Sequence, residues 1–360
     1  MKKVCLDSIC TKRTSTLRQK DLLPQGGYPV YGASGIVGYL DYYQFEEDYL
    51  SIIKDGAGVG RVQLCRGKSS VLGTLQPIIP KASVNISYLR FLLSELHLES
   101  YASGATIPHI YFRDYGKHIV ALPDCEGQAF ISCLFEVILT QIGNAERIIF
   151  KLDELIKSRF IEMFGDPADD NGDWSKYPLS SLGVLERGVS KRRPRNAPEL
   201  LGGPYPLIQT GDVTKSELFI RNYSSTYSEL GLQQSKIQRK GTLCITIAAN
   251  IAQTAILDFD ACFPDSVVGF VSNERTNAIF VHYWFSFFRE ILEHQAPESA
   301  QKNINLKILR SLKVIVPPVA LQNEFAEFVT SVEAMKATTR QRLDRLNTLY
   351  DSLAQQYFAQ

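Results

Sequence analysis

The sequence predicts an α+β protein built as a pseudo-twofold repeat, in which two β-rich mixed domains are each followed by a long helix of coiled-coil character. Three observations predict this. A chain of 360 residues exceeds what one ordinary core organises, and 45% hydrophobic with 11% aromatic residues is a globular composition. Two long stretches carry apolar residues at alternating three- and four-residue steps, the heptad signature. Finally, sliding the chain by 194 residues brings 104–128 onto 298–322 without a gap, with Ile110 on Ile304, Val120 on Val314, Pro123 on Pro317 and Gln128 on Gln322. In both copies a polar loop leads to an apolar strand, a proline and a glutamine at the mouth of a long helix, as a duplicated domain-plus-helix unit would leave behind.

The first domain, residues 1–127, contains short β-branched or aromatic runs at 26–32, 49–54, 61–65 and 71–80, separated by glycines, and then a helical stretch at 88–94. The first long helix is assigned to residues 128–167. Its seam is Ile131, Phe135, Ile138, Ile142, Ala145, Ile149, Leu152, Ile156 and Met163, broken only at Arg159, and it calls for a partner helix. Gly165-Asp166-Pro167 ends it, because glycine suits a C-terminal cap and proline cannot continue a helix. The second domain, residues 168–318, repeats the pattern with strand-like runs at 205–209, 242–248 and 254–259 and a helical stretch at 282–292. The second long helix, residues 319–360, opens after Pro317-Pro318. Phe325, Phe328, Val332 and Met335 set one seam, and Leu343, Leu346, Tyr350, Leu353 and Tyr357 set another displaced by four residues, so a stutter falls at 338–342. At ~1.5 Å per residue each helix reaches roughly 50 Å.

The net charge of +1, from 39 basic and 38 acidic residues, argues on its face against a nucleic-acid partner. Its distribution says otherwise. Residues 1–127 carry +2 and 170–320 carry +3, whereas 128–169 carry −3 and 321–360 carry −1. No run of eighteen apolar residues suggests a membrane span, and Asp7 interrupts any signal-peptide core. The seven cysteines form no Cys-x-x-Cys pair, so neither a zinc ribbon nor a disulfide framework is expected, and a reducing cytoplasm is the natural setting.

Motifs with catalytic overtones fail on inspection. Gly56-Ala57-Gly58-Val59-Gly60 places Arg61 where a dinucleotide fingerprint needs glycine, and Val62-Gln63-Leu64-Cys65 then alternates like a strand, which reads as a hairpin turn. Gly67-Lys68-Ser69 has Val62 where a phosphate loop needs its upstream glycine, and Gly32-Ala33-Ser34-Gly35-Ile36 lacks the last glycine of a nucleophile elbow. His97, His109, His118, His282 and His294 share no metal-ligand spacing. No catalytic residues and no metal site are expected. What remains is basic loop chemistry: Arg187, Lys191, Arg192, Arg193 and Arg195 in the second domain, and Lys12, Arg13, Arg18 and Lys20 in the first. Such a segment is either a solvated charged loop or a phosphate clamp.

The chain resembles the specificity subunit of type I restriction–modification enzymes. KLDELIKSRFIEMFGDP at 151–167 looks like the end of that family's central helix, and GPYPLIQTGDV at 203–213 is similar to the entry of a target recognition domain. YPVYGASGIVGY at 28–39 has the look of a counterpart in another class of such domains, and VPPVALQ at 316–322 resembles the lead into the second helix; the first repeat has Leu122-Pro123-Asp124 at the corresponding place. The resemblance implies two target recognition domains, each reading half of a bipartite double-stranded DNA target, and two antiparallel helices that fix the spacing between halves. It implies no cofactor in this chain: methylation subunits bound to the helices carry S-adenosylmethionine, and a restriction subunit supplies ATP- and Mg-dependent translocation and cleavage. On chemistry, the expected DNA contacts are Lys12, Arg13, Tyr31, Ser34 and Arg61 in the first domain and Lys191, Arg192, Arg193, Arg195, Thr210 and Asp212 in the second. Ile138, Ile142, Ile149, Leu152, Ile156, Leu343, Leu346 and Leu353 are the expected coiled-coil and partner residues. A stand-alone DNA-modifying enzyme and a coiled-coil scaffold are the rival readings.

Overall fold

A computed structural model describes residues 2–104, 106–167, 174–192, 194–248, 251–287 and 305–358. The chain divides into two compact units, one formed by residues 1–147 with 340–360 and the other by residues 148–339.

In the first unit, β1 (Lys2–Cys5) pairs antiparallel with β9 (Ile119–Leu122). Between them lies an antiparallel sheet of β2 (Cys10–Lys12), β5 (Tyr49–Ile53), β6 (Val62–Cys65) and β8 (Leu75–Pro80) in the order β2-β8-β5-β6. A smaller sheet orders β3 (Tyr28–Gly32), β4 (Gly35–Leu40) and β7 (Ser70–Val71) as β4-β3-β7. Every residue of β5 is buried, because both faces of the larger sheet are covered. Leu50 and Ile52 join the core with helix α1 (Ile86–Glu95), while Tyr49 points the other way, into a cluster with Cys65, Val71 and Leu75.

The second unit repeats the plan. β10 (Lys176–Pro178) pairs with β18 (Lys313–Ile315), enclosing a sheet of β11 (Gly183–Arg187), β13 (Phe219–Ile220), β15 (Leu243–Thr246), β16 (Thr254–Leu257) and β17 (Val267–Ser272). Its order is β11-β17-β15-β16-β13, so the first four strands repeat the order of the first unit and β13 adds a parallel edge. β12 (Leu201–Leu207) and β14 (Ser225–Tyr227) form the smaller sheet. β15 is buried throughout for the same reason as β5: Leu243 and Ile245 face the main core and Cys244 faces a second cluster.

The two long helices are α2 (Cys125–Phe164) and α4 (Val319–Phe358), with the short α3 (Ala278–Phe285) between them in sequence. α2 starts a few residues before the expected 128 because the Asp124 carboxylate accepts from the Gly127 N–H and caps the helix there. Gly165 ends it at φ +78°, a backbone region costly for any residue with a Cβ. The remainder of the helical stretch expected at 282–292 lies outside the described residues beyond 287.

Within each unit the long helices run antiparallel. In the first, Phe135 meets the Tyr350 and Phe358 rings at 5.1 and 5.3 Å, and Arg342 donates to Gln141 at 2.7 Å. In the second, Lys336 pairs with Asp153 while Phe160 and Phe164 pack on Phe325. The first seam holds in part. Ile131, Phe135, Ile138, Ala145, Leu152 and Ile156 are buried, Ile142 and Ile149 are half-buried, and Arg159 at the break pairs with Glu162 and Glu324; beyond it Phe160 and Phe164, rather than Met163, take the buried places. The second seam needs correcting in several places: Val329 is buried rather than Phe328, Lys336 rather than Met335, which is 56% exposed, and Ala354 and Phe358 rather than Leu353 and Tyr357, which are half-buried. The α4 seam therefore steps from Phe325 through Val329 and Val332 to Lys336, so the irregularity begins about a turn before the expected stutter.

Apolarity on α2 is not confined to its seam. Phe130, Val137, Ile148 and Leu155 are exposed, at steps of seven, eleven and seven residues that place them on one stripe of the helix. By length and composition α2 passes the threshold for a membrane span, although its apolar residues are spread around the helix rather than consecutive.

Candidate nucleic-acid interface

In the first unit the β3–β4 hairpin turns at Ala33 and Ser34, and Gly35, which opens β4, stands at φ +102°. The hairpin tip is tied to the larger sheet from below. The Arg61 guanidinium donates to the Ala33 carbonyl, and Gln63 donates to the Gly32 carbonyl at 3.1 Å. The Tyr31 hydroxyl accepts from the Arg66 N–H at 3.3 Å. Tyr31, Ser34 and Arg61 are thus brought together at one tip, with Ser34 and Arg61 exposed and Tyr31 half-buried. Arg61 can stand there because Gly56, Gly58 and Gly60 all adopt positive φ in a tight β5–β6 turn, as the hairpin reading of that glycine run expects. Lys12 and Arg13 lie elsewhere, on β2 and just after it, at the opposite edge of the sheet. The Lys12 ammonium sits 5.9 Å from the Phe112 ring centre, and the Arg13 backbone bonds Pro77. The five expected contacts form two groups rather than one.

In the second unit the basic loop leaves β11 at Arg187. Arg187 donates to the Asp265 carbonyl oxygen, and Arg195 pairs with the Asp265 carboxylate at 2.6 Å. Both arginines therefore anchor the loop to the segment before β17. Between them the Arg192 N–H donates to buried Gln234 at 2.6 Å. Lys191 and Arg192 are exposed, whereas Arg193 lies outside the described residues. Thr210 opens the short helix Thr210–Lys215 and uses its carbonyl oxygen on the Thr214 hydroxyl. The Asp212 carboxylate accepts from the Gln209 N–H at 2.8 Å, capping the same helix.

A further basic and aromatic group escaped sequence reasoning. Arg221, which follows β13, and Lys240, which precedes β15, both pair with Asp258, and Arg239 pairs with Asp260. The hydrogen bond from Lys240 and the charges of Lys240 and Arg221 hold the Asp258 carboxyl below the usual carboxylate range. The Lys240 N–H and the Arg239 guanidinium do the same for Asp260. Exposed Tyr223 packs edge-on against Phe259 beside them. These residues come from segments some 20 to 40 positions apart, so no local run of charge could reveal them.

Nothing in the described residues forms a group of three or more metal-ligating side chains. Burial pushes the Cys10 thiol up to about 12 and the Cys65 thiol up to about 11, and raises Cys244 as well, so these three are apolar filling rather than thiolates. The expected partner residues on the helices face inward. Ile138, Leu152 and Ile156 are buried, and Ile142, Ile149, Leu343, Leu346 and Leu353 are half-buried. Leu152 and Ile156 belong to the core of the second unit and Leu353 packs against that of the first, and the apolar surface still open on α2 includes the Phe130 to Leu155 stripe together with Leu139, Phe150 and Ile161.

Comparison with known proteins bears on what these surfaces do. A family model for the type I restriction modification DNA specificity domain matches residues 1–153 and again residues 171–348. The chain is 21% identical over 290 residues to the specificity subunit of the type I restriction enzyme EcoBI from Escherichia coli, covering 71% of this chain and 61% of that protein. It is 24% identical over 244 residues to a putative specificity subunit of the type I enzyme MjaX from Methanocaldococcus jannaschii, covering 64% and 56%. The matches span about a third to three-fifths of the lengths of the curated relatives. In fold, the chain matches the S subunit of a type I restriction–modification system from M. genitalium with a TM-score of 0.67 at 15% identity, over 99% of this chain and 96% of that one. A chain from a structural study of type I complex assembly and conformational transition matches with a TM-score of 0.58 at 15% identity, over 99% and 97%.

Proposed function

Since the chain belongs to the type I restriction modification DNA specificity domain family, we propose that it is the DNA specificity subunit of a type I restriction–modification complex and carries no catalytic centre of its own. Each β-rich unit reads one half of a bipartite double-stranded DNA target, and the paired long helices set the gap between the halves. The observation that carries this reading is the duplicated sheet: β2-β8-β5-β6 and β11-β17-β15-β16 repeat one strand order, each presenting a basic loop or hairpin tip. Two like readers in one chain suit a target in two parts.

Methylation subunits, which bring S-adenosylmethionine, dock on the helices, and a restriction subunit bringing ATP and Mg joins through the assembly. The Phe130, Val137, Ile148 and Leu155 stripe supports the docking role, because an exposed apolar row on a helix already packed along another face suits a further helix. At the DNA, the exposed Lys191 and Arg192 neutralise phosphates, while Arg187 and Arg195 hold the loop in place.

The reading is tested by co-expressing the chain with its methylation subunits and sequencing the host methylome. Two defined half-sites at a fixed gap are expected, and methylation without a bipartite motif would end the reading. In the purified complex, Lys191→Ala with Arg192→Ala should weaken binding and lower the salt slope by about 2, at roughly one unit per lost phosphate contact. Unchanged binding and slope would remove the loop from the interface.

A further inference from the structure

Gln128 and Gln322 are 2% and 0% exposed, each at the start of a long helix and each aligned on the other by the internal repeat. They make the same bonds in two units. The Gln128 Oε1 accepts from the Asn85 N–H at 2.8 Å, and its Nε2 donates to the carbonyl oxygens of Pro123 at 3.0 Å and Ser83 at 3.3 Å. The Gln322 Oε1 accepts from the Asn277 N–H at 3.0 Å, and its Nε2 donates to the carbonyl oxygens of Pro317 at 2.8 Å and Arg275 at 3.1 Å. A fourth bond, from the Thr276 hydroxyl at 2.9 Å, exists at Gln322 alone. The two asparagines are themselves caps: Asn85 accepts from the Tyr88 N–H at the start of α1, and Asn277 from the Ile279 N–H at the start of α3.

Each glutamine therefore joins three pieces of backbone: the loop leaving β8 or β17, the cap of α1 or α3, and the proline just ahead of α2 or α4. Only a primary amide offers one acceptor and two donors in that geometry. A carboxylate would face two carbonyls with no proton, and an aliphatic chain would leave one N–H and two carbonyls unmatched in a buried place. The same detail in two units of otherwise different sequence argues that the arrangement has a use beyond local stability. That use follows from leverage. A tilt of about ten degrees at the glutamine, acting over a lever of about 20 Å within a domain of this size, moves the reading surface by roughly 3.5 Å, about one base-pair step along DNA.

We propose that Gln128 and Gln322 are positioning residues that fix the tilt of each β-rich domain on the long helix it leads into, and so confine the complex to a single gap between half-sites. This rests on the specificity-subunit reading above. Its test is the methylome of a host carrying the chain with its methylation subunits, comparing wild type with Gln128→Met and Gln322→Met, which keep side-chain length and remove the bonds. Methylation at sites one base pair off the native gap should rise about tenfold relative to the native gap, the discrimination lost with roughly one to two net hydrogen bonds, while the letters of both half-sites stay the same. Thr276→Val, which removes one bond at the second site and leaves the glutamine in place, should give a smaller broadening in the same direction. Retention of the native gap by folded variants overturns the proposal, as does an even loss of methylation over all gaps with a lowered melting temperature, the mark of a purely structural role. A wild-type methylome lacking a bipartite motif instead defeats the specificity-subunit reading.

Discussion

The sharpest test of the helix packing is Lys336, whose side chain is 3% exposed and whose ammonium contacts three carboxylates: Asp153 at 2.6 Å, Glu333 at 2.8 Å and Glu217 at 3.0 Å. Asp153 belongs to α2, Glu333 to α4 and Glu217 to the segment before β13, so one charge ties both helices to the sheet. Lys336→Met keeps the length and removes the charge. Asp153 and Glu217 are each 48% exposed and can rehydrate, whereas Glu333, at 14%, is left largely buried without its counter-charge. Removing one partner of a buried ion pair costs roughly 3–5 kcal/mol, and the rehydration of two carboxylates puts the loss near about 3 kcal/mol. For a unit of this size that is a fall of roughly 6–12 °C in melting temperature, at about 2–4 °C per kcal/mol. Adding Glu333→Gln removes the stranded charge and should recover part of the loss.

The pH dependence of this cluster has a definite sign. Burial works to lower the Lys336 pKa, but the hydrogen bonds its ammonium donates to Asp153, Glu333 and Glu217 outweigh it and hold the group above the ordinary lysine value of 10.5. Its contribution is therefore complete below 10.5 and is lost only as pH rises through the still higher folded value. The gap between wild type and Lys336→Met should stay constant through neutral pH, read by calorimetry on the whole chain. A variant melting within about 1 °C of wild type would show that Lys336 spends its time in solvent, and the packing argument would fall.

Other outcomes follow from single features. Burial, reinforced by the nearby charge of Lys336, pushes the His282 imidazole down to about 4, while the Thr254 hydroxyl lies 2.9 Å from its Nδ1. Its folded state stays neutral, so the unfolded chain binds the proton first and stability is lost as pH falls from 6.5 towards 4, by up to about 3 kcal/mol; His282→Gln should flatten the acid limb of the melting curve, and an unaltered limb would place the sensitivity elsewhere. Phe130→Asp with Leu155→Asp should abolish capture of methylation subunits while moving stability by no more than about 0.5 kcal/mol, since both side chains are exposed; assembly at wild-type affinity would exclude that stripe. Gly60→Ala should cost about 2–4 kcal/mol in chemical denaturation, because Gly60 sits at φ +89° and a Cβ would lie 2.6 Å from the Glu99 nitrogen. A midpoint equal to wild type would mean the β5–β6 turn relaxes freely.

How much of the interface was legible in sequence depends on how each part is encoded. The basic run at 187–195 is contiguous and could be read directly, yet nothing in it says that Arg187 and Arg195 would be held by Asp265, some 70 to 80 residues away. Arg221, Arg239 and Lys240 were missed because β13 and β15 approach the Asp258 loop only through the sheet order. Lys12 and Arg61 were grouped by charge and domain, and the sheet then set them on opposite edges.

Periodicity and repetition are local properties, and the sequence by itself determined what rests on them: two long helices, their inward seam on α2, the glycine-capped end at Gly165, the β5–β6 turn and the duplication that pairs Gln128 with Gln322. Pairing partners are not local. Only the tertiary structure decided that a lysine, not Met335, fills the α4 seam, since a charge is admissible there only when three carboxylates from separate elements converge on it. Likewise only the structure showed that the two aligned glutamines carry matching bond sets, because beyond the nearby proline carbonyl their partners lie on loops about 45 residues upstream that no spacing rule connects to them.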